Sequence, residues 1–175
     1  MIVIGYHMIG KSEICNGRYK YIDLDPKELQ IVEKEDGCTI KSMPKGWEKI
    51  YARTAEMLSK QGYVVFISPD KLVIDSLMFS GEVIVFIYPS MIIREEFIRS
   101  RVKQDTDESI IKTLINSCQI VSNSMQSSAL IRMNMFPTVI VSLEDLKFDL
   151  NTTINTIISN IDRDWKMKEG DKKCQ

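Results

Sequence analysis

The residues best suited to chemistry stand near the start of the chain, at Gly5-Tyr6-His7-Met8-Ile9-Gly10-Lys11-Ser12. The spacing G-x-x-x-x-G-K-S is that of a phosphate-binding loop, in which backbone N–H groups cradle phosphate oxygens. Gly5 and Gly10 supply backbone angles that a side chain hinders, and let the chain wrap closely round an anion. The N–H groups of His7, Met8, Ile9, Gly10, Lys11 and Ser12 are then expected to form an anion nest. A helix beginning near Lys11 adds the positive end of its dipole. Lys11 is placed to reach the β- and γ-phosphates of a nucleotide, and Ser12 to hold Mg²⁺. His7 is the single histidine of the chain, and at this position its backbone matters more than its ring.

Two further groups of side chains suit the same chemistry. In Asp23-Leu24-Asp25-Pro26, two carboxylates at i and i+2 on an extended segment point the same way. They lie just past an expected strand, facing the phosphates. Arg94, Arg99 and Arg101 fall within eight residues on a helical segment, Met91 to Val102. They occupy the place of a mobile lid over residues 90–106, although a plain surface helix also carries arginines. Arg53 and Arg132 are candidate clamps for an acceptor's anion, with a solvated arginine as the bland reading of Arg53. Asp70, two residues past Ser68, suits either a water-mediated Mg²⁺ contact or a helix cap.

These side chains need elements to hold them. Met1 to Ile4 reads as a buried strand and leads straight into the loop. A short helix follows from Lys11 and stops at Gly17. Tyr19 to Ile22 reads as a second strand, ended by Pro26. Residues 27–46 are polar and weakly periodic, and fit a loop with a short helix or hairpin. That stretch is either an acceptor-binding insertion or a solvated excursion. Trp47, Ile50, Tyr51, Ala55 and Leu58 recur at helical spacing. Trp47 and Tyr51 fit the core of such a helix, with substrate stacking as the other reading. Apolar runs at Tyr63–Ser68, Glu82–Tyr88 and Thr138–Ser142 suit strands buried on both faces. Helices are expected at Lys71–Phe79, from a capping box at Asp105 and Glu108 toward Met133, and over 151–161. Ser122 to Ser128 suggests a break in the long one. Residues 163–175 read as a frayed polar tail.

Strands alternating with helices predict a three-layer α/β/α domain over residues 1–162, with a five-stranded parallel sheet. Composition agrees with a globular chain, at 44% hydrophobic and 27% charged residues in 175. A net charge of -1 provides no broad basic field, so neither nucleic acid nor a membrane surface is an expected partner. No apolar run is long enough for a bilayer. The strand beginning at Met1 leaves no room for a leader, and Cys15, Cys38, Cys118 and Cys174 show no paired spacing. A cytoplasmic protein with reduced thiols is expected.

The chain resembles the P-loop kinases related to nucleoside monophosphate kinases. The Gly5–Ser12 loop carries that resemblance most specifically. Asp23-Leu24-Asp25-Pro26 is similar to the D-x-D of shikimate and gluconate kinases, and to the aspartate pair of small phage-encoded P-loop kinases. Tyr88-Pro89 followed by Arg94-Glu95-Glu96-Phe97 and Arg99 resembles the fourth-strand and lid region of those phage proteins. The first helix is shorter than in typical adenylate or shikimate kinases, a brevity that the phage type shares. No Walker B aspartate ends the third strand, and no adenine-binding motif flanks the fifth.

The resemblance implies a sheet of order 2-3-1-4-5 and ATP-dependent phosphoryl transfer with Mg²⁺ to a small-molecule acceptor. Lys11, Asp23 and Arg99 would be catalytic, with Ser12 and Asp25 at the metal, and Asp23, Asp25 and Arg53 toward the acceptor. A nucleoside monophosphate or deoxynucleotide is the expected acceptor. The alternatives are a hydroxyl compound and a nucleotide-binding module without catalysis.

Overall fold

Three apolar segments, buried throughout, form the middle of one parallel sheet, and two half-buried segments form its edges. The structure is a computed structural model and describes residues 1–16, 18–35 and 38–172, for 33–35, 38, 40 and 162–172 the backbone alone. The sheet strands are β1 (Ile2–Gly5), β2 (Tyr21–Asp23), β5 (Val64–Ile67), β6 (Ile84–Pro89) and β7 (Thr138–Leu143). Two more, β3 (Ile31–Glu35) and β4 (Cys38–Ser42), pair antiparallel as a separate hairpin. Sheet order is β2-β5-β1-β6-β7. It differs in strand number from the expected 2-3-1-4-5, because the hairpin inserts two strands that alternation of sheet and helix segments does not disclose. A 3-10 turn at Pro26–Leu29, capped by Asp25, leads into the stretch 27–46.

Helices cover the sheet on both sides. They are α1 (Lys11–Cys15), α2 (Trp47–Lys60), α3 (Lys71–Leu77), α4 (Arg94–Arg101), α5 (Glu108–Arg132) and α6 (Leu150–Lys172). On one face Val3, Val85 and Val139 pack with Ile14, Phe97, Ile154 and Ile157. On the other, Ile2, Ile4 and Phe86 pack with Tyr51, Ala55, Ile74, Met125 and Ala129. Alternation along each strand sends successive side chains to opposite cores, giving the three-layer form.

Several boundaries differ from the sequence expectation. The break suggested at Ser122–Ser128 is absent, and α5 runs unbroken over 25 residues. Ser122 is buried beside Cys118, and Met125 and Ala129 pack on the sheet, so tertiary burial overrides the poor local propensity. The capping box is not formed either. Asp107 caps α5 by accepting from the Ser109 amide at 2.7 Å, while the Glu108 carboxylate pairs with Arg99. α6 continues to Lys172, through most of the stretch expected as a frayed tail. Gly17, the expected stop of α1, lies outside the described residues. Cys15 and Cys118 are free thiols.

Candidate functional site

Parallel strands end together, and loops leaving their C-terminal ends make a crevice there. In this chain the ends of β1, β2 and β5 bring the Gly5–Ser12 loop, Asp23 and Ser68 round one cleft of about 580 Å³. His7, Met8, Gly10, Lys11, Ser12 and Glu13 line one side, and Asp23, Asp25, Pro26 and Lys27 another. Arg101 reaches it from α4.

The loop is shaped for an anion. The amides of His7 through Glu13 find no backbone or side-chain acceptor among the described residues. Seven consecutive unbonded donors are unusual in a folded chain, and six of these residues border the cleft. Gly10 has φ 89°, the left-handed region that glycine enters without strain. Met8 has φ 70° without being glycine, a conformation that costs about 1–2 kcal/mol. Gly5 lacks this geometry, which corrects the expectation for it. Its need is close approach: a Cβ there meets the Ile9 side chain, buried beneath the loop, and comes within 3.4 Å of Lys11 Cδ.

Lys11 Nζ donates to the Gly5 carbonyl at 3.2 Å and to the Ile67 carbonyl at 3.3 Å. Both bonds are long for N–H···O, so the ammonium is weakly held. Burial lowers the Lys11 pKa, and the nearby Asp23 and Asp25 carboxylates oppose that shift. Ser12 Oγ donates to Asp23 Oδ2 at 2.5 Å. Asp23 is the last residue of β2, not the first residue past it. Asp25 lines the same cleft and uses Oδ1 to accept from the Lys27 amide at 2.9 Å, leaving Oδ2 toward other partners. A hydroxyl and two carboxylates give hard oxygen donors of the kind Mg²⁺ prefers, with the remaining positions left for water and phosphate. Among the described residues no group of three or more His, Cys, Asp or Glu forms a self-sufficient metal cage. Burial also lowers the His7 pKa, helped by the Lys11 charge.

The arginines separate. Arg101 borders the main cleft and a second one of about 430 Å³, shared with Gly10, Glu13, Arg18 and the segment Phe148–Asn151. Arg99 instead donates to Glu108 at 2.7 and 3.1 Å and to Glu95 at 2.9 Å, and is not among the residues lining the cleft. Arg94 is buried, with Nε lacking a partner. Arg53 is exposed on α2, away from the lining. Arg132 is corrected outright. It is fully buried, donates to the carbonyls of Ser80 and Glu82 at 2.7 Å each, and stacks on Phe136. It ties the α3–β6 connection to the end of α5 and is not among the residues lining the main cleft. Asp70 is a helix cap, accepting from the Leu72 and Val73 amides at 2.9 and 3.2 Å.

Three residues make contacts here that sequence pattern did not disclose. Lys27 and Ser68 line the main cleft. Tyr51, buried in the core, donates its hydroxyl proton to the Leu24 carbonyl and accepts from the Ser68 amide, bracing the segment that carries Asp23 and Asp25. Trp47 packs edge-on against Tyr51 and borders a side pocket of about 220 Å³ with His7, Pro69 and Asp70. Sequence spacing gave Tyr51 a core position, which holds, but its hydroxyl contacts depend on tertiary placement. No helix among the described residues is long and apolar enough to cross a membrane. Comparison with known proteins adds no relative: no protein-family model matches the chain, and no curated protein matches it.

Proposed function

We propose that the chain is a small P-loop kinase that moves the γ-phosphate of ATP to a small acceptor, with Mg²⁺ at Ser12. The observation that carries this reading is the pair of contacts at the loop: a weakly held Lys11 ammonium above free amides, and Ser12 bonded to Asp23. Phosphoryl transfer asks mainly for positioning and neutralisation of charge. The amides of the loop hold the β-phosphate, and Lys11 leaves the two carbonyls to bridge the β- and γ-phosphates. Ser12, with Asp23 or Asp25 directly or through water, holds the metal, whose charge offsets that of the phosphates when bound. Arg101 closes from α4 over the transferring group and takes the role first given to Arg99. The second cleft, beyond Gly10 and Arg101, receives the donor's nucleoside.

A nucleoside monophosphate or deoxynucleotide is the proposed acceptor, entering between Lys27 and the pocket bordered by Trp47. One observation favours a second reading, a hydroxyl acceptor. Neither Arg53 nor Arg132 lines the cleft, whereas the Asp23 and Asp25 carboxylates do, and a carboxylate such as Asp23 orients or accepts a hydroxyl proton. A panel of nucleosides, nucleotides and small hydroxy acids, assayed for ATP consumption and for thermal shift with ATP·Mg²⁺, tests both. Asp23→Asn then separates them: severe loss with a hydroxyl acceptor, and a milder, Mg²⁺-dependent loss with a phosphate. Stabilisation by ATP with no turnover on any acceptor contradicts the kinase reading.

A further inference from the structure

β7 is the outer strand of the sheet on the side away from β2. The amides of Ile84 and Ser90 on the β6 side donate to the carbonyls of Pro137 and Leu143, at 3.2 and 2.9 Å. Hydrogen-bonding direction alternates along a strand, so odd-numbered residues of β7 face β6. Thr138, Ile140 and Ser142 therefore turn their N–H and C=O groups outward. Exposed edges are normally defended by charge, proline or a bulge. β7 has no charged residue or proline among its six residues, Thr-Val-Ile-Val-Ser-Leu.

The surroundings share this character. Between Lys112 and Glu144 the single charged residue is Arg132, and that residue is fully buried. Leu150 to Ile161 carries no charge either. In a chain that is 27% charged, the solvent-facing parts of these two runs are thus entirely neutral. They belong to the helices that sandwich β7: Met125 and Ala129 of α5 lie in the core with Ile140, while Leu150 and Ile154 of α6 lie in the core with Val139 and Val141. Charge depletion of this kind marks the centre of protein interfaces. Ile120, Leu130 and Ile131 of α5 are exposed within it.

We infer that this edge joins a second copy of the chain, β7 pairing antiparallel with its twin about a twofold axis at Ile140. The strand's own sequence supports self-pairing. With Ile140 opposite Ile140 of the second copy, Val139 meets Val141, and Thr138 meets Ser142. All three outward-facing residues then fall in hydrogen-bonded positions, each exchanging both backbone bonds with its opposite number. The Thr–Ser pair adds a favourable cross-strand contact, and the two copies use the same surface, as a twofold interface requires. Size is adequate with its flanks. Six residues make an edge about 20 Å long. Three layers of about 10 Å each give about 600 Å² per copy. Stable interfaces bury about 600–1,000 Å² per copy, so the strip reaches the low end of that range, and the exposed Met133 and Met135 before the strand extend it.

The test is the mass of the full chain in solution by sedimentation equilibrium, with circular dichroism as a check on folding. Wild type is expected at twice the 20.2 kDa of one chain. Ser142→Pro removes an outward donor at an edge position where proline is tolerated, and Ser142→Lys puts a charge on the same exposed site. Either is expected to weaken association at least tenfold in Kd while leaving the circular dichroism spectrum unchanged. A wild-type chain that stays at 20.2 kDa up to its solubility limit overturns the inference. So does a dimer that survives both substitutions.

Discussion

Ser12 on the first turn of α1 donates its hydroxyl proton to Asp23 at the end of β2, across 2.5 Å. This bond joins the anion loop to the carboxylate wall, and it fixes both side chains where a cation bound at Ser12 would meet them. Ser12→Ala and Asp23→Asn are each expected to raise the Mg²⁺ concentration needed for half-maximal turnover by about 10–100-fold. Because the two act through one contact, the double variant should be little worse than the more damaging single one. Additive losses in a Mg²⁺ titration would separate their roles.

Arg101 and Arg99 lie on one short helix, but only Arg101 borders the cleft. Arg99 is occupied by Glu95 and Glu108, which raise its pKa through hydrogen bonds. Exposed ion pairs of this kind contribute little to stability. Arg101→Ala is expected to lower kcat/KM for phosphate transfer by about 100-fold or more, the scale of a lost electrostatic contact to a transition state. Arg99→Ala should stay within about threefold of wild type, consistent with a surface contact. Steady-state kinetics on the two variants decide which arginine acts.

Arg132 holds the carbonyls of Ser80 and Glu82 in a buried setting. Arg132→Met keeps much of the stem's packing and leaves both acceptors unpaired. It is expected to lose about 2–4 kcal/mol, a fall in Tm of roughly 5–15 °C. Affinity for ATP, measured below the lowered Tm, should not change. A large loss of affinity without loss of stability would restore Arg132 to the site.

The depressed Lys11 pKa fixes a pH dependence. The folded chain gives up the Lys11 proton at a lower pH than the unfolded chain, so just below pH 10.5 the unfolded state binds more protons. This contribution is favourable above pH 10.5 and is lost as pH falls through the folded pKa. Stability of the ligand-free protein should therefore gain a component that rises with pH toward 10.5. Lys11→Met should lack it. Denaturant midpoints of the two proteins across that range provide the check, and parallel curves would count against a strained ammonium.

The loop was legible because its spacing is a contiguous local pattern, with glycine at the positive φ of Gly10. Strand cores were legible for the same local reason: Val64 to Ile67 and Ile84 to Ile87 are apolar throughout because both faces are covered. Other features depend on partners far along the chain. Arg132 meets carbonyls about fifty residues away, and no local pattern announces that. The Tyr51 hydroxyl likewise spans 27 residues to brace Leu24. The hairpin escaped a definite assignment because its strands are short, mixed in polarity and paired with each other instead of with the sheet, and Ile31 and Val32 stay exposed. In α5 the serines argued for a break, yet burial of Ser122 and Met125 decided the matter.

The most direct measurement of the central claim is ATP-dependent phosphate transfer by wild type and by Lys11→Ala, on the acceptor that the panel identifies. The weakly held ammonium between Gly5 and Ile67 is the group expected to follow charge onto the transferring phosphate. Lys11→Ala should lose about 10³-fold or more in kcat/KM, the scale of losing a cation that stabilises phosphoryl transfer. Its circular dichroism spectrum should match that of wild type. A folded Lys11→Ala protein that transfers phosphate at the wild-type rate would contradict the assignment of the Gly5–Ser12 loop as the donor site.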